Sequence, residues 1–219
     1  MSRTNATTKR NANPVNLYIS FNGDGNFVYW DAKQQGRASF GQSIDLVLMD
    51  TRSTIAGFSK ADNARIYANR VSALTKERLV VKAGDKVIAE GMYADIKNDI
   101  KAAGGKFATE AYALVVVDGV LRPATITFTG EALRCWMNFM DEIGGKYAAY
   151  AYLVTASKGE EKKAGKNSYF SVNFSMSDLP AEYAEAANAF NDDHLQPFLG
   201  PKVTAEDDVE MHHEPVEVA

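Results

Sequence analysis

"IDLVLMDTRSTIAGFS", residues 44–59, decides the fold class. Its first seven residues are almost continuously apolar, the pattern of a strand buried on both faces, since a strand with one wet face would alternate. Its last six, Thr54 to Ser59, carry the sheet onward, and Gly57 among them marks a bend or bulge. The flanking sequence supplies neighbours for such a strand.

Upstream, "NLYISF" (16–21) and "FVYWD" (27–31) enclose the turn-like "NGDGN", a hairpin pattern. Downstream, "ERLVVKAGDKVIAEG" (77–91) is a second hairpin around Ala83, Gly84 and Asp85. "KFATEAYALVVVDG" (106–119), "LRPATITFTG" (121–130), "KYAAYAYLVTAS" (146–157) and "SYFSVNFSMS" (168–177) read as further strands. Between the last two, the charged "KGEEKKAGKN" (158–167) reads as an exposed, mobile loop.

Three helices interrupt the strands. "MYADIKNDIKAAGG" (92–105) sets Tyr93, Ile96 and Ile100 at helical spacing, and "EALRCWMNFMDEIGG" (131–145) aligns Leu133, Trp136, Met137, Met140 and Ile143. A Gly-Gly pair stops each. The third follows Asp178, with Tyr183, Ala187 and Phe190 as its stripe. Because helices and strands do not alternate strictly, a doubly wound parallel sheet is not expected. The expected fold is mainly β: a Greek-key barrel of the oligonucleotide-binding (OB) type, elaborated with two or three helices. Residues 1–16 read as a flexible basic arm, 17–203 as the folded domain with helical and strand extensions, and 204–219 as a disordered acidic tail.

The chain has 219 residues, 46% hydrophobic and 24% charged, enough for a sizeable core in an ordinary globular protein. One cysteine, Cys135, excludes an internal disulfide. With no apolar stretch behind the basic N-terminus and no run long enough to span a bilayer, a cytoplasmic protein with no membrane partner is expected. The formal net charge is −4, yet the closing "AEDDVEMHHEPVEVA" (205–219) holds six carboxylates and no lysine or arginine, which leaves +2 for the rest.

Catalytic chemistry is hard to find. No Walker-type loop occurs, and "NGDGNF" lacks the helix a dinucleotide fingerprint needs. As a calcium loop counted from Asn22, the same stretch places Lys33 where a bidentate glutamate is required. The histidines, His194, His212 and His213, lie near the C-terminus, and no nucleophile stands beside a base. The expectation is therefore a protein that is not an enzyme, with no cofactor, catalytic residue or metal.

Binding chemistry is easier to see. Unpaired nucleic acid needs cations for its phosphates and flat rings for its bases. "FVYWDAK" sets Tyr29 and Trp30 beside Lys33, and "AGFSKADNARIYANR" interleaves Phe58, Lys60, Arg65, Tyr67 and Arg70. "GGKF" and "GGKY" repeat a lysine and a ring at Lys106/Phe107 and Lys146/Tyr147, each after a helix and before a strand. Strand neighbours point to opposite faces, so Tyr29 and Trp30 cannot both turn inward. Trp30, followed by polar Asp31, is the outward candidate.

The succession "FVYWD … IDLVLMDTRSTIAGFS … EGMYADIKNDIKAAGGKFATEAYALV … ITFTGEALRCWMNFM … SYFSVNFSMSDLP" resembles bacteriophage-encoded single-stranded DNA-binding proteins with an OB barrel, over residues 17–198. The resemblance implies sequence-tolerant coating of single-stranded DNA in replication or recombination, in the host cytoplasm. It also implies an acidic tail, Glu206, Asp207, Asp208, Glu210, Glu214 and Glu217, that competes for the DNA groove and recruits replication or recombination proteins. The ending "PVEVA" departs from the bulky apolar close of cellular tails. Oligomeric state, monomer or dimer, stays open. The alternative reading is a structural or scaffold protein of a virion or host-interaction complex, and a third is a metal-dependent nuclease.

Overall fold

The computed structural model describes residues 13–31, 34–165 and 167–200. Eleven strands form one mixed sheet: β1 (Leu17–Phe21), β2 (Phe27–Asp31), β3 (Gly36–Gly41), β4 (Ser43–Ser59), β5 (Ala64–Ala68), β6 (Leu79–Ala83), β7 (Lys86–Gly91), β8 (Gly105–Val117), β9 (Val120–Thr129), β10 (Tyr152–Ala164) and β11 (Asn167–Asp178). The main path runs β3-β2-β1-β9-β8-β4-β5-β6-β7. Every pairing is antiparallel except that of β1 with β9.

β4 is the spine. Along one edge it pairs with β8 from Val47 to Gly57. Its other edge serves two partners, β10 over Ser43–Val47 and β5 over Ala56–Ser59. The sheet therefore branches at β4, and the path ends at β3 and β7 without returning on itself. It is not closed into a barrel, which overturns the expected OB Greek key. The resemblance to phage-encoded single-strand binders, drawn from a succession of strand and helix signatures, implied that barrel and is set aside with it. Closure is a pairing between distant strands, and nothing in the alternation of any one strand encodes it.

Burial explains the runs of apolar sequence. Ile44, Leu46 and Leu48 face a core shared with Ala111, Ala113 and Val115 of β8 and with Ile126 and Phe128 of β9. Val47 and Met49 face the other way, against Ala187 and Leu195. Those two belong to α4 (Ala181–Phe190) and the π-helical turn Asn191–Leu195 that extends it. Both sides of β4 are thus covered at its first half. A third cluster gathers Ile55, Ile66, Leu79 and Val81 beneath Ile96 and Ile100 of α1 (Tyr93–Ala102).

α2 (Gly130–Glu142) buries Leu133, Trp136 and Phe139, while Met137, expected on that stripe, is exposed. The Trp136 ring stacks on Phe128 at 4.9 Å and meets Phe174 of β11 edge-on at 5.2 Å. Two local expectations need correction. Residues 146–149 form the short helix α3 (Lys146–Ala149) rather than a strand. The expected loop 158–167 lies within the long β10–β11 hairpin, whose register shifts between Lys158 and Glu161. There Lys158, Glu161, Lys162 and Lys163 pair with Val172, Phe170, Tyr169 and Ser168, and charged side chains suit an exposed hairpin edge.

That hairpin is tied to α2 by Glu131, which accepts from Lys162 Nζ at 2.7 Å and from Arg134 Nε at 2.9 Å. The Arg134 bond, then the Lys162 bond, hold the Glu131 carboxyl down at about 2, against 4.5 ordinarily. Its folded value is depressed, so the tie is complete above pH 4.5 and is lost as pH falls toward 2. Surface ion pairs contribute under ~1 kcal/mol, so the effect is local. Glu131→Gln is expected to lower amide-exchange protection in the outer half of the hairpin at pH 7 without a measurable change in Tm. Wild-type protein should lose the same protection between pH 4.5 and 2.

Candidate nucleic-acid interface

Strand register assembles a patch that sequence order scatters. Lys106 lies opposite Ala56, Ala56 opposite Tyr67, Tyr67 opposite Lys82, and Lys82 opposite Val87. Directly paired residues share a face, so these side chains stand in a row across β8, β4, β5, β6 and β7. Phe58 and Arg65, also paired, form the next row. The opposite face belongs to Ile55, Ile66 and Val81 in the core, which forces this set outward. Phe58 is 50% and Tyr67 46% exposed, large values for rings in the middle of a sheet. Arg65 and Lys106 are exposed and Lys82 half-buried. Among the described residues none of the three forms an ion pair.

Local geometry fixes the rings. The backbone of Gly57 runs so close to the next strand that a Cβ there would lie 2.5 Å from the carbonyl oxygen of Gly104. Gly104 itself has φ +94°, and a Cβ on it would fall 2.6 Å from the carbonyl oxygen of Phe58. The two glycines let this corner close, which seats Phe58 beside the end of α1. Tyr67 donates its hydroxyl to the carbonyl of Gly84 at 2.7 Å, pinning the ring over the β6–β7 turn. Lys60 is exposed in the turn after β4. The nearby acid, Asp62, is already engaged: hydrogen bonds from Ser59 and then Lys86 hold its carboxyl below the usual range.

Trp30, 63% exposed, lies opposite Arg37 on β3. Tyr18, 54% exposed, alternates with the buried Leu17 and Ile19. The pairings of Tyr18 with Thr125 and of Thr125 with Tyr112 put Tyr18 on the same side of the sheet as Lys106. Ile19 opposite Tyr29 on the core side leaves Trp30 on that side too. Four strand spacings, roughly 19 Å at ~4.8 Å each, separate β2 from β4. Between the two groups of rings sits a structural ion pair. Glu110, buried, accepts from Arg70 Nη2 at 3.1 Å and from the Tyr112 hydroxyl at 3.0 Å, with Arg70 Nε in closer contact. Burial, then the Glu110 charge, drive the Tyr112 hydroxyl far up. Arg70 is thus committed to the fold.

The remaining sequence candidates lie elsewhere. Tyr29 is half-buried against Phe40, with ring centroids 4.9 Å apart. Phe107 turns to the core side and meets Tyr93 at 5.7 Å. Lys146 Nζ sits 3.7 Å from Asp50 and 5.5 Å from the ring centre of Tyr147, which is exposed. Both line a cleft of about 630 Å³ between β4, α3 and α4. The two Gly-Gly-Lys-aromatic corners therefore do not meet: one opens a strand beside Gly57, the other a helix near Asp50. Lys33 and the tail acids Glu206, Asp207, Asp208, Glu210, Glu214 and Glu217 fall outside the described residues, as do positions 1–12.

Two residues of this face went unnoticed in the sequence. Tyr18 was legible from alternation alone, standing between two apolar neighbours that must turn inward. Lys82 was not, because its place beside Tyr67 depends on the β5–β6 register. Among the described residues there is no group of three or more His, Cys, Asp or Glu side chains placed to hold a metal ion, and no helix long and apolar enough to cross a membrane. In comparisons with known proteins, no family model, curated protein or solved structure matches this chain.

Proposed function

We propose that this protein binds single-stranded nucleic acid without strong sequence preference, on the open sheet face at β8-β4-β5-β6. Bases stack on Phe58 and Tyr67, while Arg65, Lys82 and Lys106 meet the phosphates. The observation that carries this reading is the pair of half-exposed rings among three cations that have no ion-pair partner among the described residues. A sheet face suits splayed bases. A duplex keeps its base faces stacked inside and offers only edges and phosphates, so it gains nothing from the rings.

The test is a binding titration of the full chain with oligo-dT, oligo-U and duplex DNA of equal length at several salt concentrations. Oligo-dT or oligo-U is expected to bind more tightly than duplex. Log affinity should fall with log salt, and this face alone contributes a slope near −2, about −0.7 for each of its three phosphates neutralised. Absence of binding to both single strands in low salt, or a duplex bound as well, overturns the reading. The comparison of dT with U separates DNA from RNA.

A further inference from the structure

At the corner where Gly104 meets Phe58, a second groove opens between α1 and the start of β8. Its volume is about 420 Å³, within the range of small-ligand sites, and it is lined by Tyr93, Lys97, Asn98, Lys101, Lys106 and Phe107. We infer that this groove binds a phosphate-bearing nucleotide unit, as the continuation of the strand that crosses Phe58. The inference rests on the proposed sheet-face site.

The chemistry is that of a phosphate with an attached flat group. Lys97 and Lys101 are one helical turn apart, so at about 100° per residue their ammonium groups rise from one flank of α1. Lys106, at the start of β8 and at the end of the row that contains Tyr67, also lines the groove and joins the two places. Tyr93 and Phe107 supply a tilted pair of rings, and the Asn98 amide offers hydrogen bonds to a base or sugar. The acids of α1 stand clear: Asp95 and Asp99 fall on the other flank and do not line the groove. One opposing effect is present. The C-terminus of α1 brings about half an elementary negative charge to this end. Three lysines outweigh it. Gly104 and Gly105 line the groove, and the close approach of Gly104 to the Phe58 carbonyl sets the groove directly beside Phe58.

The experiment compares wild type, the Lys97→Ala/Lys101→Ala double variant and Lys163→Ala in oligo-dT titrations over a range of salt. Lys97 and Lys101 are exposed helix positions whose replacement by alanine does not threaten the fold. The double variant should bind more weakly at low salt and show a slope near −2, about 1.4 shallower than the −3.5 that five neutralised phosphates at ~0.7 each give the wild type. Lys163→Ala, on the β10–β11 hairpin, should leave the slope unchanged, which excludes a general effect of lost charge. Wild-type binding with an unaltered slope in the double variant overturns the groove and leaves the sheet-face site standing. Failure of wild type to bind any single strand overturns both.

Discussion

Replacing Phe58 and Tyr67 together by alanine is expected to weaken oligo-dT binding at least about thirtyfold, because each stacked base contributes about 1–3 kcal/mol. Both rings are half exposed, so the fold loses little when they go. Tyr67→Phe separates the two roles of that residue. It keeps the ring and removes only the hydroxyl that Gly84 accepts, so binding should hold to within a few-fold. The salt slope of the double alanine variant should match wild type, since Arg65, Lys82 and Lys106 remain. Full affinity in that variant, measured by anisotropy with the circular dichroism spectrum unchanged, would mean that the rings face empty solvent and carry no base.

The largest effect on stability is expected from Trp136→Ala. Trp136 is 3% exposed and packs among Phe128, Phe139 and Phe174. Truncating a buried tryptophan costs about 3–5 kcal/mol, through lost transfer energy and the cavity left behind. In a protein of this size each kcal/mol moves Tm by about 2–4 °C, so a fall of roughly 6–20 °C is expected in a thermal scan. Trp136 belongs to the cluster under α2, while Phe58 and Tyr67 lie over the cluster under α1. Below its transition the variant should therefore bind oligo-dT like wild type. A change below about 1 kcal/mol would show that the aromatic cluster collapses to refill the gap.

How far the fold was readable from sequence depends on the range of the interaction concerned. The Leu46-Val47-Leu48-Met49 run announced a strand covered on both faces, because four adjacent apolar residues leave neither side for water. The Gly-Gly stop after α1 was equally local. The hairpin through 158–167 was missed because its residues are charged and carry glycine, the usual marks of a loop. There the hairpin pairing of Lys158 with Val172 and of Lys162 with Tyr169 overrides that composition. The helix at Lys146 was missed because "GGKY" repeats "GGKF", and local similarity does not specify which partner strand is available. Barrel closure failed for the same reason on a larger scale.

The candidate site divides in the same way. Trp30 and Tyr29 could be assigned to opposite faces from alternation, and the side taken by each depends only on which neighbours are apolar. Arg70 could not be judged locally. "RIYANR" presents it as one more cation, but Glu110 reaches it from forty residues away and engages it in an ion pair. Lys82 entered the patch by the converse route, brought beside Tyr67 by a register that its own segment does not show.

The divided edge of β4 has a thermodynamic consequence. One strand supplies backbone partners to β10 at its beginning and β5 at its end, with β8 opposite both. Detaching either branch strips β4 of hydrogen bonds that the other branch has no spare strand to replace. The ring-bearing branch and the branch under α2 are therefore linked in their folding equilibria, and ligand energy gained on the first reaches the second through seventeen residues of shared backbone.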